Sequence, residues 1–583
     1  MKRRIDIDNS INENSALDLM DDSAFADVVI LNGKVLTIDE NFAIAESIAI
    51  RGDRILKVGT QAEIRQLINI DTKVINVEGR TVIPGLIEAH LHPEQGALSE
   101  LEEEIPVVKT INELLQWIIK QTEVKSENEW IIFPKFFYTR LKELRPPTLK
   151  ELDEAAPINP VFLNGSFGGV INSAAMRISN ITENTVDEGI LKNPFSGQPT
   201  GILSRSAFKL LNTPPDKVYS EKEKATALAA MLKRYNRYGI TSICSGAGDM
   251  QTFSLYQEIR KANELTCRVF LNIRFPLNLR HSVSVDEMLD SIDRMDMKTG
   301  DGDEWVKIGA LKIILDGGIL TGTAYLREPW GQRAQEVFGF EDPEYRGILN
   351  YNFEELERIV SKAAKSGWKF AAHCTGGGGV DLLLDVFEKI NKTISLRDKR
   401  FAIIHGNFFT PESTIRMKKT GIYADAQAAW LYKDADAFTD IIGSERVSHF
   451  LPFRSMLDNE VMVNGGSDHM VKFDANSSVN PFNPFLGMWC MITRTTENSN
   501  VINSNEAITR EEALRIYTIN NAYATFEEAI KGSLETGKFA DLAVLSSDIL
   551  TCSTDQIKDI ESVLTLVGGK VVFASDEIKM SNK

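Results

Sequence analysis

The sequence predicts an α/β fold: a (β/α)8 TIM barrel with a small β-sandwich formed from both chain ends and a long insertion after the first barrel strand. Three observations predict it. Apolar runs of strand length recur through the middle of the 583-residue chain, and amphipathic helical stretches separate most of them. Both ends show a different texture, with short β-rich runs broken by turn residues. Between the first and second apolar runs lie about 150 residues, far more than an ordinary βα loop.

At the N-terminal end, ADVVILNGKVLTIDENFAIAESIAIRGDRILKVG is divided by Asn-Gly, Asp-Glu-Asn and Arg-Gly-Asp turns, a hairpin pattern. GKFADLAVLSSD and SVLTLVGGKVVFASD repeat that pattern at the C-terminal end. Neither end has enough strand to bury a core alone, so the two are expected to pair into one discontinuous sandwich, residues 26–83 and 526–578. Residues 1–25 are polar and acidic and are expected to be a disordered tail.

The barrel is expected over residues 84–525. Its candidate strands are 82–92, 239–246, 266–275, 307–317, 368–374, 400–406, 421–427 and 460–468. Each reads as a nearly continuous apolar run, as parallel strands covered on both faces do. FEELERIVSKAAKSG and VDLLLDVFEKI are two of the intervening helices. No GxGxxG or P-loop follows any strand, which removes the usual reason for an open doubly wound sheet. Residues 96–236, with EWIIFPKFFYTRL and PVFLNGSFGGVINSAAM, read as a subdomain over the barrel mouth.

Composition narrows the function classes. The formal charge of −17 argues against a nucleic-acid partner. No run approaches the length of a membrane span. The five cysteines are dispersed without CxxC spacing, and no apolar segment follows Lys2, Arg3 and Arg4, so a cytoplasmic protein is expected.

Chemistry gathers at the strand ends. His90 and His92 are two apart on the first strand, so their imidazoles point the same way. His373 ends WKFAAHC and His405 ends RFAIIHG. Four of the seven histidines therefore stand at C-terminal ends of barrel strands, the face on which this fold builds its sites. Imidazole is a favoured zinc ligand. Asp468 follows VMVNGGS at the last strand, where a carboxylate can bind metal and take a proton; the same place suits a helix N-cap. Lys312, inside GALKIILDGG, is expensive to bury charged. It either snorkels, pairs with Asp316, or is carbamylated into an anionic bridge between two metals. His281 and His449 are expected at the surface, and His469 near the pocket but not as a ligand. Tyr325, Trp330 and Trp430 suggest an apolar or ring-bearing substrate, although lid aromatics also pack on each other.

The order HxH, Lys, His, His, Asp on successive strands resembles the amidohydrolase superfamily. TVIPGLIEAHLHP, PVFLNGSFGGVINSAAM, GALKIILDGGILTGTAYLREPW and KGSLETGKFADLAVL resemble, more narrowly, the amidohydrolase 3 family that contains N-substituted formamide deformylases. The likeness runs from about Ala26 to about Ala574. It implies a metal held by His90, His92, His373, His405 and Asp468, with Lys312 in the place of the bridging lysine of binuclear members. It also implies one or two zinc ions, Asp468 as general base and acid, a small amide-type substrate and a homodimer. Three positions depart from the family: Phe167 lies near the place of a histidine, Cys244-Ser245 replaces a His-Asp pair, and CTGGGG follows His373. The metal positions are kept where substrate-facing positions differ. The expected activity is metal-dependent hydrolysis of an amide-type C–N bond. The alternatives are a deaminase on the same barrel, against which the absence of HxxE after the fifth strand counts, and a catalytically silent scaffold or regulator.

Overall fold

A computed structural model describes residues 25–102, 104–275, 283–471, 474–578 and 580–581. The expected tail up to residue 24, and His281, lie outside the described residues.

Eight parallel strands form one sheet: β1 (Leu86–Leu91), β2 (Ile240–Gly248), β3 (Arg268–Arg274), β4 (Val306–Ile314), β5 (Phe370–Cys374), β6 (Ala402–His405), β7 (Tyr423–Ala426) and β8 (Val463–Gly465). Each pairs with the next in chain order, as in a sheet wound in one direction with its helices on one face. Ile243, Leu271, Ile313, Phe370 and Ile403 pack outward into the large apolar core, while Ala310, Ala371, Ala402, Ile404 and Tyr423 fill the interior. The run from Val82 divides at Gly85. Thr81–Pro84 joins a terminal sheet and Leu86–Leu91 enters the barrel; at the junction only glycine fits, since a Cβ at Gly85 would stand 2.2 Å from Thr241 Oγ1.

The seam between β1 and β8 closes through side chains and loops as well as backbone. Asn521 Nδ2 donates to the carbonyls of Ile87 and Gly465, and its Oδ1 accepts from Gly465 N at 3.1 Å. Asp468 N donates to His90 O at 2.7 Å. Asn521→Ala leaves these buried groups unpaired and is expected to cost on the order of 3 kcal/mol, read as a lower urea midpoint. An unchanged midpoint would mean that the seam does not depend on this amide.

Helices lie where the amphipathic stretches place them. Phe353–Lys365 starts with a capping box, Asn352 accepting from Glu355 N and Glu355 reaching back, and buries Leu356, Ile359 and Val360. Gly377–Asn391 begins in the GGGG run. A Cβ at Gly376 would stand 2.0 Å from Tyr325 O, so the glycine lets the loop after β4 lie against this helix start.

The chain ends form two sheets. In one, Leu542–Leu545 pairs antiparallel with Thr81–Pro84, Ala543 opposite Ile83. In the other, Val28–Leu31 lies between Ser47–Arg51 and Lys73–Asn76. Ile30, Val35 and Ile50 share an apolar core with Leu542, Val544 and Leu564, so residues from both ends bury one another. Within the long insertion, Ile131–Pro134, Val161–Asn164, Gly168–Ile171, Ile190–Lys192 and Pro199–Ser204 make a third small sheet. Among the described residues no helix is long and apolar enough to cross a membrane.

Candidate metal centre

The sequence-predicted residues His90, His92, Lys312, His373, His405 and Asp468 come together at the C-terminal rim of the barrel. The His90 and His92 rings are 5.3 Å apart at 89°. Asp468 Oδ1 lies 3.1 Å from His92 Nε2 and 3.6 Å from His90 Nε2. One ligand atom from each of His90, His92 and Asp468 lies within 4.8 Å of the others, a group that could hold a metal ion. The His405 ring is 5.5 Å from His90 and 4.6 Å from His373. Lys312 Nζ stands 2.9 Å from His90 Nε2.

Two of these residues depend on unusual backbone. Ile404 packs in the barrel interior, so strict alternation would send the next side chain outward. A left-handed turn at His405, φ 75°, accompanies its ring's place at the centre instead. Asp468 has φ 56°. Such conformations cost energy in non-glycine residues and persist where the surroundings hold them.

Neighbours set the tautomers. Gln427 Nε2 donates to Asp425 Oδ1 at 3.1 Å, which turns its Oε1 toward His405 Nδ1 at 2.6 Å. His405 therefore carries its proton on Nδ1 and keeps the Nε2 lone pair. His373 Nε2 faces the Gly317 carbonyl at 3.1 Å; a carbonyl only accepts, so the His373 lone pair is on Nδ1. His90 Nδ1 has no hydrogen bond, the nearest carboxylate oxygen being Asp425 Oδ2 at 3.7 Å. Asn480 Nδ2 holds Asp468 through its carbonyl, at 2.7 Å, and Oδ2, at 3.4 Å.

The electrostatics suit a cation. Burial keeps His90 and His373 well below the ordinary histidine value and brings His405 down to about 4. Burial also lowers His92 against the pull of Asp468. Burial opposes ionisation of Asp468, but the His92 hydrogen bond and the charges of His92, His405 and Lys312 hold it down at about 2. Neutral imidazoles beside an ionised carboxylate are the protonation states that metal ligands require. Burial brings Lys312 down to about 8, and pushes Asp425 up to about 7 against the pull of Lys312 and Lys369.

Some expectations change. Lys312 faces His90, not Asp316. Asp316 instead accepts the backbone N–H groups of Thr375, Gly376 and Tyr325, at 2.9, 2.8 and 3.1 Å, pinning the CTGGGG turn. Trp330 is a core residue, packed on Phe338 with Nε1 donating to Ala324 O at 3.1 Å. Trp430 stacks on His405, ring centroids 4.7 Å apart. Phe167 stacks on His373 at 5.3 Å, so the insertion reaches the centre through this ring. Ser245 Oγ donates to Glu94 at 2.9 Å, and Tyr256 Oη joins it at 2.6 Å. His469 is buried, with Nδ1 at Tyr235 Oη, 2.9 Å, and its ring against Phe482; His449 is exposed.

Sequence reasoning passed over Asp425, Gln427 and Asn480. A carboxylate inside the apolar strand run GIYADAQ is the same kind of signal as Lys312 in its strand, and finds Asp425. Gln427 and Asn480 carry no comparable signal.

A family model described as "Amidohydrolase family" (Amidohydro_3) matches residues 73–573. The chain belongs to this amidohydrolase family. This amidohydrolase is 28% identical to an N-substituted formamide deformylase of Arthrobacter pascens, over 93% of this chain and 97% of that protein. It is 29% identical to Protein LONG AFTER FAR-RED 3 of Arabidopsis thaliana, over 94% of this chain and 92% of that protein. Its fold matches an uncharacterized metal-dependent hydrolase from Pyrococcus horikoshii with TM-score 0.66 and 20% identity, over 91% of this chain and 99% of that structure.

Proposed function

We propose that this amidohydrolase is a zinc-dependent enzyme that hydrolyses an amide-type C–N bond of a small molecule, with Asp468 as general base and acid. The convergence of His90, His92 and Asp468 donor atoms within 4.8 Å carries the reading. The name of the Arthrobacter relative, a formamide deformylase, supports the bond type. His90, His92 and Asp468 would hold one ion, and His373 and His405 a second. Zinc suits imidazole and carboxylate donors, and when bound it supplies Lewis acidity that acidifies water and polarises a carbonyl.

The chain's own residues do the rest. Asp468 Oδ takes a proton from the attacking water and returns it to the leaving nitrogen as the C–N bond breaks. Asn480 fixes that carboxylate, and Gln427 fixes the His405 tautomer. Phe167 and Trp430, stacked on His373 and His405, keep water from that side. Lys312 is the place for a carbamate: burial brings its ammonium down to about 8, toward the neutral amine that can add carbon dioxide. An Nζ–C bond forms, a proton leaves, and an anion replaces the cation beside His90.

Zinc-loaded protein, assayed for amine release from a panel of N-acyl and N-formyl amines, tests the function. Hydrolysis abolished by a chelator and restored by zinc is the expected result; no hydrolysis by fully metallated protein would end the proposal. Metal analysis is expected to give about two equivalents per chain at saturation and about one in His92→Ala. A single equivalent in the unaltered protein would remove the carbamate bridge.

A further inference from the structure

The insertion and the barrel bring three cations to the metal rim, and among the described residues none of them is in an ion pair. Lys135 follows the strand Ile131–Pro134, Arg205 follows Pro199–Ser204, and Arg274 ends β3. The first two lie beside the turn that carries Phe167. Lys135 Nζ is 2.9 Å from Oγ of Ser166, the residue before it, and Arg205 N donates to Phe167 O at 3.1 Å. The Arg205 guanidinium lies 5.3 Å over the Phe167 ring, whose stacking on His373 fixes this corner at the metal centre. Lys135 and Ser166 both have left-handed backbone, φ 54° and 73°.

Arg274 comes from below. Asn272 lines a small cavity inside the barrel and Ile273 packs in the outer core, so alternation turns Arg274 inward. In register it pairs with Lys312. All three side chains are partly buried and keep contact with solvent, as the walls of a cleft do.

Several other buried or part-buried guanidiniums are paired. Arg140 pairs with Asp434, Arg327 with Asp381 and Arg268 with Asp541, and Arg494 is held by three carbonyls. Among the described residues, Arg205 and Arg274 have no carboxylate or carbonyl partner for their side chains, and Lys135 has only the Ser166 hydroxyl. Holding cations partly desolvated and without an ion pair costs energy, and a ligand that supplies opposite charge offsets it.

We propose that the substrate carries an oxyanion, a carboxylate or a phosphate, close to its scissile amide, and that Lys135, Arg205 and Arg274 bind it. The inference rests on the hydrolase reading and narrows its substrate class. Guanidinium forks match both oxyanions in a bidentate way, and the ammonium adds a point charge. The pull of burial on all three groups agrees. Burial, joined by Arg274, brings Arg205 down to about 10, and burial lowers Arg274. Burial, offset by Asp468 and joined by Arg205 and Arg274, brings Lys135 down to about 8. This local positive field opposes the overall charge of −17, so the pocket draws an anion that the rest of the surface repels.

The test pairs N-acyl and N-formyl amino acids with their neutral carboxamides and with N-acyl aminoalkyl phosphates, on the zinc-loaded full chain. One anionic series is expected to exceed the carboxamides in kcat/KM by roughly ten- to a hundredfold, and the better series identifies the oxyanion. Arg274→Met and Arg205→Met should erase most of that ratio through a higher KM for the anionic series, with zinc content kept; Arg274→Lys should restore part of it. Carboxamides cleaved as well as the anions, or a ratio unchanged in both Met variants, would overturn the proposal. A binding arm keeps it separate from the hydrolase reading. With Asp468→Asn protein, the same compounds are scored by thermal shift. Anions that raise Tm, with the shift lost in Arg205→Met and Arg274→Met, support the pocket even if no amide is cleaved. No shift by any anion, together with no anion-selective hydrolysis, rejects it.

Discussion

Asp468→Asn is expected to lower kcat by about 10²–10⁴-fold while most of the metal stays bound. Asparagine keeps the shape and one oxygen at the position 3.1 Å from His92 Nε2, but it cannot take a proton from water or return one to the leaving nitrogen. The fall should appear equally in kcat and kcat/KM, because the lost interaction belongs to the transition state. Metal content measured alongside separates this role from simple ligation. A variant that retains its zinc and turns over at the unaltered rate would show that another group moves the proton. Asn480→Ala should give a smaller loss, since it releases the carboxylate without removing it.

The barrel was legible because its strands are buried on both faces and therefore read as unbroken apolar runs. All eight runs overlap a strand of the single sheet, although the first three residues of one, Val82, Ile83 and Pro84, belong to a terminal sheet. His90 and His92 were legible because strand spacing alone brings them together. His405 was legible only by its place at a strand end: its inward turn needs φ 75°, which the sequence run RFAIIHG does not announce. What resisted reading is what depends on docking. The insertion's length was plain, yet Lys135, Ser166 and Arg205 come near the metal rim only because the turn that carries Phe167 packs on His373. Trp330 and Trp430 looked alike as loop aromatics, and packing sends one to the core and the other onto His405. Lys312 and Asp316 looked like neighbours along a strand, and each is claimed by a different partner.

Arg268→Met is expected to destabilise the protein by about 3–5 kcal/mol, the largest stability effect foreseen for a single side chain. Arg268 begins β3 at the end of the barrel opposite the metal rim and is almost fully buried. It reaches Asp541 with Nε at 2.8 Å and Nη2 at 3.2 Å, just before the terminal strand Leu542–Leu545. Its guanidinium also lies 3.6 Å over the Phe539 ring and 4.8 Å over Trp305. The pair thus fastens the floor of the barrel to the sheet built from both chain ends, and methionine leaves the Asp541 carboxylate buried with only the Gly568 N–H at 2.7 Å. Urea unfolding followed by fluorescence should show an earlier first transition. Asp541→Asn in the same protein should recover part of the loss, because the stranded charge and not the missing contact is its main source. If the double variant is no more stable than Arg268→Met, the cost lies in the lost stacking on Phe539 and Trp305, and the fastening is apolar.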